Sequence, residues 1–247
     1  MEDCKAQATP MDANIKLIKS TEKLNCEKKY PYKEAVGSLI YLMIGSRPDI
    51  AYSVCKLSQF MDAYDETHWT AVKHVLRYLK GTKNLGITYY RDGTNTLQGF
   101  CDSDYAGDQE TRMSTSGYIF MLNGGAVSWS SKLQRVIALS TTEAEYISLA
   151  EVTKQSMWLR QLLLDLNQDQ DSIPISCDNQ GALKLVQNPE YHKRTKHIDV
   201  RYHYVRDMQK KGMISVQYLE TSEQLADILT KPLPGPRYKY CLKLICM

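Results

Sequence analysis

No stretch of this sequence approaches the roughly 18–20 consecutive apolar residues that a membrane-spanning helix needs, so no membrane partner is expected. Residues Met1 to Pro10 carry Glu2, Asp3 and Lys5 and have no apolar centre, so they do not read as a signal peptide. An intracellular rather than secreted protein is the expectation. Closely spaced cysteines are missing too. The seven cysteines stand at 4, 26, 55, 101, 177, 241 and 246, with no C-x-x-C pair. That odd and scattered set points to reduced thiols and away from a structural zinc site. Internal repeats and low-complexity tracts are absent. The formal net charge of +3 is too small to argue for nucleic-acid binding by itself.

What is present is ordinary in bulk and uneven in detail. Apolar residues make up 43% and charged residues 24% of 247 residues, which suits a globular protein of one large or two small domains. Seven Lys/Arg lie between His192 and Lys211, against Asp199 and Asp207, and three of the five histidines fall there as well. This segment, with Lys193, Arg194 and Lys196, reads either as a solvated helix face or as a phosphate-contacting surface.

Pattern divides the chain. Residues 1–30 are polar and read as a linker, and 31–95 read as a helical subdomain. Glu34 to Ile44 carries an apolar stripe, and Ser46-Arg47-Pro48 starts a second helix through Phe60. Thr67 is the expected cap of a third helix with Trp69, Val72, Leu76 and Leu79 on one side. Residues 96–233 read as an α/β domain and 234–247 as a tail. Leu97–Cys101, Gly117–Leu122 and Ala126–Ser130 are short runs broken at Asn123-Gly124-Gly125, the pattern of an antiparallel meander. A helix over Thr141 to Asp165, a strand over Ile173 to Cys177, a short helix over Gln180 to Gln187, a basic helix from about Thr195 and a strand over Ile214 to Leu219 follow. Thr221 and Gln224 resemble a capping box for a last helix. The order implies a mixed sheet covered by helices.

Certain carboxylates fall at the junctions of these elements. Asp102 and Asp178 each follow a strand, and acids at adjacent strand ends repel unless a cation lies between them. The long helix offers Glu143 and Glu145. At about 100° per residue, Glu145 shares the stripe of Leu149, Val152, Leu159 and Leu163 while Glu143 lies nearly opposite, which favours Glu145 as the buried ligand. Asp227, among Leu225, Ile228 and Leu229, is a fourth candidate. Asp104 competes with Asp102, since both face the same way in a strand, and Asp108 lies further into the turn, where solvated acids are common.

The motifs carry a resemblance. Gly99-Phe-Cys-Asp-Ser-Asp-Tyr-Ala-Gly-Asp108, Ser114-Thr-Ser-Gly-Tyr118, Ser128-Trp-Ser-Ser-Lys132, Ser140-Thr-Thr-Glu-Ala-Glu-Tyr146, Cys177-Asp-Asn-Gln180, Arg194-Thr-Lys-His-Ile198 and Leu225-Ala-Asp-Ile-Leu-Thr-Lys-Pro232 resemble the ribonuclease H region of copia-type retrotransposon Pol polyproteins. Upstream, Tyr32 to Leu42, Arg47-Pro-Asp-Ile50, His68-Trp69 and Arg77-Tyr-Leu-Lys-Gly-Thr82 resemble the segment that connects reverse transcriptase to the nuclease in the same polyproteins. The resemblance implies a ribonuclease H-like fold, a mixed five-stranded sheet flanked by helices and preceded by a small helical subdomain. It implies an endoribonuclease that cuts the RNA strand of RNA–DNA hybrids with two Mg²⁺ or Mn²⁺ ions held by Asp102, Glu145, Asp178 and Asp227. Arg112, Ser114, Ser116, Lys132 and Arg135 are the implied substrate contacts near that site. The polymerase portion of the polyprotein is the implied protein partner, in a cytoplasmic virus-like particle or the nucleus.

The sequence departs from the wider family pattern in two respects. The loop Leu219-Glu-Thr-Ser-Glu223 has no histidine where many ribonucleases H carry one, and His197 and His203 lie earlier. The Tyr-x-Asp-Asp motif of a polymerase palm and the protease and integrase motifs are missing, so a truncated element or a host-retained remnant is expected. As a remnant it would act as a non-catalytic nucleic-acid-binding or protein-interaction module.

Overall fold

The computed structural model describes residues 3–20, 30–187, 199–245 and 247. Two compact units emerge: Met1–Thr88 with Lys231–Met247, and Tyr89–Thr230.

The first unit is helical: α1 (Tyr32–Gly45), a 3-10 turn (Pro48–Ile50), α2 (Ala51–Ser58) and α3 (Glu66–Gly81), joined by the C-terminal α7 (Gly235–Leu244). Tyr32, Val36 and Leu39 recur at helical spacing on α1 and are buried against Val54 and Leu57 of α2. Asp65, not Thr67, caps α3: its Oδ1 accepts from Thr67 N at 2.8 Å, and His68 Nδ1 accepts in return from Asp65 N. The buried face of α3 is His68, Ala71, Val72, Val75 and Tyr78, so the helix is rotated from the expected Trp69–Leu76–Leu79 side. The cause is polar. Tyr78 turns inward because its hydroxyl donates to Asp49 Oδ2 at 2.6 Å, and Asp49 bridges Arg47 at 2.7 Å inside the unit. Ser46 does not cap; Arg47 holds that position and points its guanidinium at Asp49 instead.

The described parts of the expected linker, residues 3–20, and of the expected tail pack into the first unit. Met11 and Leu17 are buried, and the His74 ring nitrogen lies 3.0 Å from the Thr9 carbonyl. In α7, Tyr238 and Cys241 are buried, and the Tyr238 hydroxyl donates to the Asp49 carbonyl at 2.8 Å. Their apolar spacing was hidden among charged neighbours in both segments.

The second unit is built on a five-stranded sheet in the order β3-β2-β1-β4-β5. Its strands are β1 (Gln98–Asp104), β2 (Thr115–Leu122), β3 (Gly125–Leu133), β4 (Ile173–Cys177) and β5 (Ile214–Tyr218). The β1–β2–β3 meander is antiparallel, whereas β4 runs parallel to both β1 and β5. The helices α4 (Thr141–Asp165), α5 (Gln180–Gln187) and α6 (Asp199–Lys210) supply the crossovers that parallel pairs require. Ser140 caps α4 by accepting from Glu143 N. Leu149 and Val152 of α4, Phe120, Ile173, Ile175, Val205 and Ile214 share one buried core.

The last helix expected after Thr221 is instead a pair of 3-10 turns, Thr221–Glu223 and Leu225–Leu229. Gln224 explains this. Its side chain is fully buried, accepting from Ala226 N and donating to the Cys101 carbonyl at 2.9 Å, so it ties the turn to β1 rather than closing a capping box on Thr221.

Candidate metal centre

The parallel pairing of β1 with β4 places Cys101 opposite Cys177. The β1–β4 pairing stops there, and the next residues are Asp102, still within β1 and opposite Gly117 of β2, and Asp178, the first residue past β4. Asp102 is buried, and Thr230 Oγ1 donates a short hydrogen bond to its Oδ2. Asp178 is half-buried and accepts from Thr221 Oγ1 at 2.8 Å.

Glu145 comes to the same place from α4. It is 6% exposed, its Oε1 accepts from Ser103 N at 3.1 Å, and its Oε2 lies 3.9 Å from the Cys177 sulfur. One donor atom each of Glu145, Cys177 and Asp178 lie within 4.8 Å of one another. Burial pushes the Glu145 carboxyl well above the usual carboxylate range, and the negative charges of Asp102 and Asp178 add to it, against the opposing Ser103 N–H. A buried carboxyl raised by two neighbouring acids fits a cation between them, as does a donor set of mostly carboxylate oxygens.

Asp227 lies on the Leu225–Leu229 turn, which packs on β1 and β2. It is 3% exposed, and its carbonyl accepts from Thr230, the residue bonded to Asp102. Gly117 is what lets this turn come so close. A Cβ there would stand 2.7 Å from Thr230 Cγ2 and 2.8 Å from Leu229 Cβ.

The competing acids have other employment. Glu143 is buried as deeply as Glu145, within a run of α4 buried from Glu143 to Ala150, where Ala138 packs with Ala144 and Ile147. Its Oε2 accepts from Leu139 N at 2.9 Å. Asp108 is buried, not solvated: its Oδ1 accepts from the amide and hydroxyl of Thr111, which fixes the turn after β1. Asp104 ends β1 half-buried.

No family profile matches the chain. It is 43% identical over 253 aligned positions to the retrovirus-related Pol polyprotein from transposon TNT 1-94 of Nicotiana tabacum, covering 100% of this chain and 19% of that relative. The chain belongs to the copia-type retrotransposon Pol polyproteins. It spans about a fifth of the length of the curated polyproteins it matches. It is also 54% identical to the secreted RxLR effector protein 161 of Plasmopara viticola over 132 residues, 53% of this chain and 93% of that one. Among solved structures, ribonuclease H1 of Halobacterium salinarum covers 55% of the chain at 16% identity and a TM-score of 0.40. The second unit has the mixed five-stranded sheet flanked by helices that the resemblance implies, in the order β3-β2-β1-β4-β5.

The substrate contacts expected of this copia-type chain divide by position. Lys132 and Arg135 are exposed at the end of β3 and line a cleft of about 420 Å³ together with Lys154 of α4 and Arg201 of α6. Nothing in the sequence singles out Lys154, and Arg201 stands there among many cations. Arg112 is exposed on the turn after Asp108. The two serines are buried. Ser114 is fully buried and its hydroxyl accepts from Ala106 N, while Ser116 is buried and bonded to Gln134 Nε2 at 2.8 Å. The Ser114 hydroxyl is enclosed in the fold, whereas Ser116, though buried, also lines the cleft of Lys132 and Arg135. Gln134 also reaches Ser103 and the Ala144 carbonyl, so it ties β1, β2 and α4 together beneath the acids. Lys193, Arg194, Lys196 and His197 lie outside the described residues.

Proposed function

We propose that the Tyr89–Thr230 unit is a nuclease that hydrolyses the RNA strand of RNA–DNA hybrids, with two Mg²⁺ or Mn²⁺ ions held by Asp102, Glu145, Asp178 and Asp227. The observation behind this reading is that Glu145 and Asp178 come within 4.8 Å where the β1–β4 pairing stops, with Asp102 near enough to raise the Glu145 carboxyl, inside a copia-type Pol segment. Bound divalent ions would supply Lewis acidity at the scissile phosphate and a water acidified for attack. The chain's own groups do the positioning. Thr230 fixes the rotamer of Asp102, the Ser103 N–H that of Glu145, and Thr221 that of Asp178. Lys132, Arg135, Lys154 and Arg201 offer their cleft to backbone phosphates, contacts that orient a duplex without reading its sequence. The polymerase portion of the same polyprotein is the proposed companion. No helix among the described residues is long and apolar enough to cross a membrane.

The test is cleavage of a hybrid labelled on each strand, with Mg²⁺, with Mn²⁺ and with EDTA. RNA-strand cutting that stops with EDTA and in Asp102→Asn and Asp178→Asn proteins is the expected result. Cutting that survives chelation, or equal cutting of both strands, contradicts it. A second reading has one observation behind it: over half of this chain aligns with nearly the whole of a separate effector protein. In that reading the unit is a remnant that binds hybrid or a partner without cutting, and wild-type protein retains hybrid intact in Mg²⁺.

A further inference from the structure

The tightest group of potential ligands among the described residues is not made of carboxylates alone. A sulfur, that of Cys177, stands within 4.8 Å of oxygens from Glu145 and Asp178. Cys177 ends β4 and is fully buried, and Asp178 follows it at the half-buried mouth of the group. Glu145 divides its two oxygens unequally. Oε1 has the Ser103 N–H, whereas Oε2 has the Cys177 thiol at 3.9 Å. A thiol is a weak donor, so Oε2 has one weak partner on a side chain that is 6% exposed, a position that a cation would strengthen.

We propose that Glu145, Cys177 and Asp178 form a site for a thiophilic divalent ion, Zn²⁺ or Cd²⁺, bound through one sulfur and two carboxylate oxygens. Such an ion would occupy two of the acids proposed for Mg²⁺ and exclude the harder ion from them; only this second consequence rests on the nuclease reading. Thiolate ligation selects Zn²⁺ over Mg²⁺, and three protein ligands leave the open fourth position that zinc fills with water. Tetrahedral zinc with bonds of about 2.0–2.3 Å needs donors roughly 3.5 Å apart, a closure of about an ångström within reach of side-chain rotation. The thiol proton leaves to solvent as the ion binds. Entry is from the Asp178 side, where the group is open.

The experiment is a titration of the whole chain with Cd²⁺, without Mg²⁺, following the ultraviolet sulfur-to-cadmium charge-transfer band. The expected result is a saturable band that Cys177→Ser removes. Asp178→Asn, at a half-buried position and of the same shape, shifts half-saturation upward by roughly tenfold or more. A band that Cys177→Ser leaves unchanged puts the ion on another cysteine and overturns the proposal. Unchanged half-saturation in Asp178→Asn also overturns it, whatever the fate of the serine protein. Hybrid cleavage in Mg²⁺ is scored separately. A Cys177-dependent band in protein that never cuts hybrid upholds the ion site and removes the nuclease reading. Mg²⁺-dependent cutting that saturating Zn²⁺ leaves untouched overturns the exclusion of Mg²⁺.

Discussion

At the scale of single residues the two glutamates of α4 separate by partner rather than by exposure. Both are buried, yet Glu145 meets Asp178 and Cys177 while Glu143 accepts from the Leu139 amide. Glu145→Gln is expected to lower hybrid cleavage by several orders of magnitude, whereas Glu143→Gln, which can still accept that amide, keeps at least about a tenth of the rate, within ~1.4 kcal/mol of barrier. Kinetics in Mg²⁺ check this, and a reversed pair of outcomes moves the ligand to Glu143. The raised Glu145 carboxyl also has a sign for stability. In metal-free protein the unfolded chain releases this proton at a lower pH than the folded chain does. Folding is therefore penalised progressively as pH rises from the ordinary carboxylate range towards the raised value. Glu145→Gln removes the penalty, so its melting temperature should match wild type in acid and exceed it as pH rises. Melting curves in EDTA across pH test it, and a gain that shrinks with pH refutes the sign. The wheel of apolar residues singled out Glu145 from sequence, but it could not show that Glu143 is buried too, because that depends on the β3–α4 loop folding over the helix.

At the scale of elements, the Leu225–Leu229 turn reaches β1 and β2 only because residue 117 has no side chain. Gly117→Ala is expected to push that turn off the sheet, costing about 1–3 kcal/mol through overpacking and breaking the Thr230–Asp102 hydrogen bond. The readouts are urea unfolding and Mg²⁺-dependent cleavage, and full activity in a protein of unaltered stability would show that the close approach is dispensable. The cleft lined by Lys132, Arg135 and Arg201 belongs to this scale as well, since two separate elements, β3 with its end and α6, supply these cations. Replacing these three with alanine in Asp102→Asn protein should weaken hybrid binding and flatten the dependence of log Kd on log salt by about one for each phosphate no longer neutralised. A slope that does not change leaves the cleft as an ordinary charged surface. Sequence pattern placed α4, β4 and α5 at their observed bounds, because strong apolar periodicity and clear breakers flank them. It missed the 3-10 character of residues 221–229, where a buried glutamine bonding to a distant strand outweighs local capping signals.

At the scale of the whole molecule, the chain's two ends fold into one helical unit around a buried polar centre of Arg47, Asp49, Tyr78 and Tyr238. Asp49→Ala would strand the Arg47 guanidinium in that interior and is expected to cost about 3–5 kcal/mol. Hydrogen exchange resolved by segment should show reduced protection over 32–81 and 235–244. Protection that persists there would mean that the bridge is replaceable. The sequence by itself determined the family, the order of strands and helices from β1 to β5 and the acids worth naming, since each rests on local periodicity or on motifs contiguous along the chain. Only the tertiary structure decided that residues 3–20 and 235–244 belong to the first unit, that Ser114 and Ser116 are interior, and that Cys177 joins Glu145 and Asp178. Those outcomes depend on which distant segments come to lie against each residue, and a parallel strand pairing or a buried salt bridge leaves no periodic mark on the residues that make it.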